Sequence, residues 1–169
     1  LAQPEDPQQY CQAIAYLAKF FNFPVLAEAL SPLRNYSQIH PYLISTYDLI
    51  LRNSQLAEKL TPDLVIQIGE LPTSKELRNW LNNDRTERWI VNPSNENFDP
   101  LHTQTLHLRT SIEQLVLDIS CDRYSDLEAC EKPFLQRDYC QYWCELEKKT
   151  RQAIDLTLES TNTLHEGKV

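Results

Sequence analysis

Residues 63–81, DLVIQIGELPTSKELRNWL, join a short apolar run to a helix start. Leu64, Val65, Ile66 and Ile68 form an almost unbroken apolar segment ending at Gly69, the pattern of a strand buried on both faces of a parallel sheet. Pro72 breaks the extended run. Thr73 with Glu76 three residues later gives a T-x-x-E capping box, and Leu77, Trp80 and Leu81 supply an apolar helical face. In an open α/β sheet such a strand-to-helix junction lies beyond the carboxyl ends of the strands, where ligands bind. The free N–H groups of the first helical turn and the helix dipole favour an anion there. Lys75 sits in that turn, where a cation disfavours the helix unless an anion faces it. The competing reading is a surface lysine on an ordinary β–α unit.

The rest of the chain repeats this alternation. Asp6-Pro7 is a helix start, and Cys11, Ile14, Leu17, Ala18 and Phe21 recur at helical spacing up to Asn22. Phe23–Ala27 reads as a strand, followed by a loop from Ala29 to Tyr42 that carries Ser31, Arg34, Asn35 and His40. A helix begins near Thr46 and breaks at Asn53-Ser54, and a second short one runs to Leu60. After the helix bearing Trp80, Arg88–Val91 forms a strand and NPSNENFDP (92–100) a polar loop. Thr105–Arg109 alternates as an edge strand, with His107 on its exposed side. Thr110 with Glu113 makes a second capping box. Residues 121–132 read as an acidic linker. Pro133 opens a long helix to about Leu158, with Leu135, Tyr139, Tyr142, Leu146, Ala153 and Leu156 on one stripe. The sum is an α/β fold, a Rossmann-like, mainly parallel sheet flanked by helices with a long C-terminal helix. Residues 1–120 form the sheet domain, and 121–169 the linker and helix.

Composition narrows the function. With 16 basic against 24 acidic residues the formal charge is −8, and no basic patch stands out, so nucleic acid and anionic membrane surfaces are poor partners. No segment has the length of a membrane span, and the first ten residues are too polar for a signal peptide. Only two glycines, Gly69 and Gly167, are present, which excludes G-x-G-x-x-G and Walker A loops. The absence of methionine, even at position one, suggests an excised piece. Five cysteines at irregular spacing (Cys11, Cys121, Cys130, Cys140, Cys144) do not form a disulfide framework and fit a reducing cytoplasm. Without a C-x-x-C knuckle they read as buried thiols in preference to zinc ligands. The scattered histidines pair with no nucleophile, and Asp99-Pro100 ahead of His102 reads as a turn before an acid–base pair. Trp80, Trp89 and Trp143 read as core or interface aromatics. What remains is anion binding. Lys75 and Arg34 follow successive strands whose loops open on one side, so both could converge on a carboxylate or phosphate, with Ser74 adding a hydroxyl.

The order of IGELPTSKELRNWL, the TYDLILRN helix before it and RWIVNPSNENFDPLH after it resembles the middle domain of thiamine-diphosphate enzymes. Among these it is similar to the synthase of menaquinone and phylloquinone biosynthesis that decarboxylates 2-oxoglutarate and adds the succinyl semialdehyde unit to isochorismate. LAEALSPLRNY is similar to that family's serine- and arginine-bearing loop. The resemblance covers roughly Glu5 to Leu115; Trp143 and the E-G-K-V ending look like the lead-in to a following pyrophosphate-binding domain.

The resemblance implies a three-domain enzyme in which thiamine diphosphate and Mg2+ or Mn2+ lie between the first and third domains; a cytoplasmic homo-oligomer is expected alongside. The cofactor-activating glutamate and the G-D-G…N metal motif are not in this chain, so the piece alone is expected to bind no cofactor and to be inactive. The family's substrate-carboxylate lysine maps onto Lys75, with Ser74 beside it and Arg34 as a further contact; Glu76 stands where some members have arginine. The implied partners are isochorismate, 2-oxoglutarate and the flanking domains of the same chain. The resemblance also implies a strand just before the Ala2–Glu5 turn. Without it the sheet lacks an interior member, and oligomerisation or marginal stability is expected. The alternatives are a free-standing anion- or nucleotide-binding regulatory module, or an interaction scaffold docking through the long helix.

Overall fold

A computed structural model describes residues 5–123 and 137–161. The element order is α1 (Pro7–Phe21), β1 (Val25–Leu26), 3-10 turns at Pro32–Arg34 and Ser37–Ile39, β2 (Leu43–Ile44), α2 (Tyr47–Leu51) and α3 (Ser54–Lys59). Then follow β3 (Leu64–Ile68), α4 (Lys75–Leu81), β4 (Glu87–Val91), β5 (Thr105–Leu108), α5 (Ile112–Arg123) and α6 (Arg137–Ser160). Every ladder is parallel, so the expected α/β class is the observed one. The acidic linker beyond Arg123 and the helix start at Pro133 lie outside the described residues, as does His165.

Local chemistry accounts for the boundaries. The Asp6 carboxylate accepts from the N–H groups of Gln8 and Gln9, and Pro7 supplies the first helical φ. Asn22 ends α1 in the left-handed conformation at φ 55°, returning its N–H to the Ala18 carbonyl. Asn53 both breaks α2 from α3 and caps α3. Neither predicted capping box forms. Ser74 caps α4 by accepting from Leu77 N–H at 3.1 Å, and Ser111 accepts from Gln114 N–H at 3.2 Å, each one residue later than the threonine expected. In α4 the reason is visible: the Thr73 hydroxyl is bonded to Glu28 instead.

The strands form two sheets, β1-β2 and β3-β4-β5, with β5 at an edge as its alternation suggests. β3 is covered on both faces, as its apolar run suggests, but with one ladder edge unpaired among the described residues its side chains are half-buried, Gln67 excepted. The two-residue β2 is too short for its side chains to show any alternation in the sequence. Strand alternation divides the interior. Ile66, Ile68, Val91 and Leu108 pack with α1 and α5, whereas Val65, Leu26 and Ile44 pack with α2, α3, α4 and α6. Each fully buried leucine or isoleucine in these layers contributes roughly 1.5–3 kcal/mol.

His107 is not exposed. Its register partner is the buried Ile90, on the face that also holds the wholly buried Arg88, so the ring is half-buried and Leu106 turns outward. The predicted stripe on α6 holds only in its first half. Tyr139, Tyr142, Trp143 and Leu146 join the core, while Ala153 and Leu156 are exposed. The Trp143 ring is fully enclosed and meets Trp80 edge-on at 5.9 Å, consistent with core aromatics.

Candidate functional site

At the carboxyl end of β3, two of the chain's own carboxylates bond the loop that leads into α4. Glu28 accepts from Thr73 N–H at 2.9 Å and from the Thr73 hydroxyl. Asp48 accepts from the Ser74 hydroxyl at 2.5 Å and pairs with Arg52 at 3.0 Å. Ser74 thus spends its hydroxyl on fixing the loop, donating to Asp48 while it caps α4. Lys75, the first residue of α4, is exposed at the rim of this junction.

Arg34 is carried by the loop after β1. It lines a cleft of about 400 Å³ with Ser37, His40, Leu43, Ser45, Glu147 and Arg151, and Lys75 is not among the lining residues. Arg34 nonetheless acts on the Tyr47 hydroxyl together with Glu28 and Asp48, the two carboxylates of the Lys75 junction. The arrangement is built on Glu147. Its carboxylate accepts from the backbone N–H groups of Ser45 (3.1 Å) and Thr46 (2.8 Å), from the hydroxyls of both, and from Arg151 Nε at 3.2 Å. Burial alone pushes the Glu147 carboxyl up, but these donors outweigh it and hold the pKa below the usual carboxylate value.

Two guanidinium groups meet at Ser45. Arg34 Nη1 donates to its carbonyl at 3.4 Å, and Arg151 Nη2 donates to its hydroxyl. His40 is 3% exposed and neither ring nitrogen has a hydrogen-bond partner; burial, with a contribution from Lys19, lowers its pKa. The cleft thus holds two permanent cations, one carboxylate already saturated with donors, and an imidazole kept toward its neutral form.

The other candidates have structural roles. Asp99 bonds Leu101 N–H at 3.1 Å, closing the turn, and pairs with Arg88, whose guanidinium also donates to Gln67 (3.0 Å) and Thr103 (2.9 Å). His102 stands exposed at φ 53° beyond that turn. Cys140 is buried, and burial with the neighbouring Cys144 pushes its thiol up to about 12. Among the described residues no three histidine, cysteine, aspartate or glutamate side chains gather as a metal site.

Sequence reasoning missed Glu147, Arg151 and Ser45. The spacing of Glu147 and Arg151 marks a helical ion pair, but the bond from Ser45 spans 102 positions, and no local pattern signals it.

Among the described residues no helix is long and apolar enough to cross a membrane. The family model described as "Middle domain of thiamine pyrophosphate" matches residues 5–164. The chain is also similar to proteins named 2-succinyl-5-enolpyruvyl-6-hydroxy-3-cyclohexene-1-carboxylate synthase. The one from Gloeothece citriformis is 56% identical over 97% of this chain, that from Rippkaea orientalis 53% over all of it, and that from Trichodesmium erythraeum 52% over all of it. The chain spans 27–28% of the length of these relatives. Parallel α/β layers of this order, matched along nearly their whole length, place the chain in the middle-domain family of thiamine pyrophosphate enzymes.

Proposed function

We propose that this chain is the middle domain of a thiamine-diphosphate-dependent synthase that decarboxylates 2-oxoglutarate and adds the succinyl semialdehyde unit to isochorismate. The observation that carries the reading is the match over residues 5–164, joined to 56% identity with a synthase of that name. The domain's role is structural, with a carboxylate contact from Lys75 at the β3–α4 junction. Its placement supports this: the side chain is exposed, and the cap and loop beneath it are fixed by Ser74, Thr73, Asp48 and Glu28. Ser74, which caps α4, holds Lys75 in place, and Arg34 lines the cleft against α6.

The donor set of the described residues does not suit thiamine diphosphate and its divalent cation. Gly69, the one glycine among the described residues, cannot form a phosphate loop alone, and no carboxylate cluster converges there. No chemical step is assigned to these residues through the cofactor. It belongs to the flanking domains, with Mg2+ or Mn2+, in a cytoplasmic homo-oligomer, and the chain by itself is inactive.

Steady-state kinetics of the full-length protein test the reading. Lys75→Ala lowers kcat/KM for 2-oxoglutarate or isochorismate by at least about tenfold, the scale of one charge-assisted contact, with thiamine diphosphate affinity unchanged. Unaltered kinetics for both substrates would remove Lys75 from the site.

A further inference from the structure

The cleft between β2 and α6 has no part in the reading above, yet its lining carries a net positive charge. Arg34 and Arg151 contribute two positive charges and Glu147 one negative, a local balance of +1 in a chain of formal charge −8. A guanidinium offers five N–H donors. Arg34 spends one of them, on a long 3.4 Å bond, and Arg151 spends two. Glu147 balances only one of the two guanidinium charges, and its two oxygens already take five hydrogen bonds.

His40 supplies the second, independent observation. The residue lines the cleft, is 3% exposed, and leaves both ring nitrogens without a hydrogen-bond partner. An orphaned buried donor costs about 1–3 kcal/mol, a cost relieved when a small turn of the ring presents an N–H to an acceptor in the cleft. Ser37 adds a hydroxyl and Leu43 an apolar wall. The volume of about 400 Å³ lies within the range of small-ligand sites.

The geometry points to a binding site for a small organic oxyanion in this cleft, held between Arg34 and Arg151 with His40 as a further donor. The ligand is a carboxylate or a phosphate ester, since both present the paired oxygens that a guanidinium recognises. Arg34 belongs to the loop after β1 and Arg151 to α6, so the bound anion ties the long helix to that loop. Lys75 does not line this cleft, and the assignment does not depend on the role proposed for it.

Calorimetric titration of the full-length protein, saturated with thiamine diphosphate, with succinate and separately with inorganic phosphate tests the assignment. Saturable binding of at least one probe is expected, weakened about tenfold or more in Arg34→Gln and in Arg151→Gln, and unchanged in Lys75→Ala. Arg34→Gln is the decisive variant because Arg34 makes no bond to Glu147; hydrogen-exchange protection of α6 equal to wild type confirms that docking survives. In wild type the His40 ring 15N resonances shift on saturation. The preferred probe separates a carboxylate ligand from a phosphate ester. Wild-type binding in both arginine variants, binding lost in Lys75→Ala but not Arg34→Gln, or no saturation at millimolar concentrations of either probe would overturn it.

Discussion

Replacing Glu147 by alanine should undock α6 locally without unfolding the sheet. The carboxylate accepts five hydrogen bonds, two of them from the backbone N–H groups of Ser45 and Thr46. The hydroxyls and Arg151 can turn to water at this half-buried position, but the two N–H groups cannot follow. Hydrogen bonds to a charged partner contribute about 1.5–3 kcal/mol each, so losing these two at the low end costs ~3 kcal/mol. For local opening that is about a hundredfold loss of amide protection. Hydrogen exchange of the full-length protein should show it at residues 146–150 of α6, with β4 unaffected; Glu147→Gln, which keeps one acceptor oxygen, should lose roughly half as much in free energy. The same contact carries a pH dependence. The folded pKa of Glu147 lies below its unfolded value near 4.5, so the stabilisation is complete above that value and fades as pH falls through the folded pKa. Alanine-variant protection within about threefold of wild type would refute the claim that Glu147 docks the helix.

Two further outcomes concern the sheet. Arg88→Ala leaves Asp99 buried without its guanidinium and should cost about 3–5 kcal/mol in chemical denaturation, whereas the double change to apolar residues of similar size should recover much of it. Gly69 sits at φ +70°, and a Cβ added there would meet Asn92 Nδ2 at 3.9 Å, an ordinary contact. Gly69→Ala is therefore penalised by backbone strain and not by a clash, and about 1–2 kcal/mol of lost stability is expected from the denaturation midpoint.

Much of this architecture could be read from single stretches. Leu64–Ile68 announces β3, Asp6-Pro7 and Asn22 bracket α1, and Asn53 separates α2 from α3, because in each case the cause lies within a few residues. The misreadings share a different origin. Thr73 is displaced as cap because Glu28, 45 residues away, holds its hydroxyl. His107 lies inward because the face of β5 is set by its ladder with β4. The cleft was half legible: Arg34 stood out in its loop, but its counterpart Arg151 is brought to it only by the docking of α6 on β2. Short strands such as β2 leave too little alternation to recognise at all.

The geometry of α6 also has a mechanical consequence. The helix has 24 residues and is fastened near its middle, at Glu147, while none of residues 151–160 is buried. Ser160 therefore stands about 20 Å beyond the fastening point, at 1.5 Å per residue. With that point as a fulcrum, a tilt of about 10° carries the tip through roughly 3.5 Å on the same rise per residue. The half of the helix beyond Glu147 extends as a lever arm, and a rotation of the docked half about that point is carried outward as a displacement of Ser160.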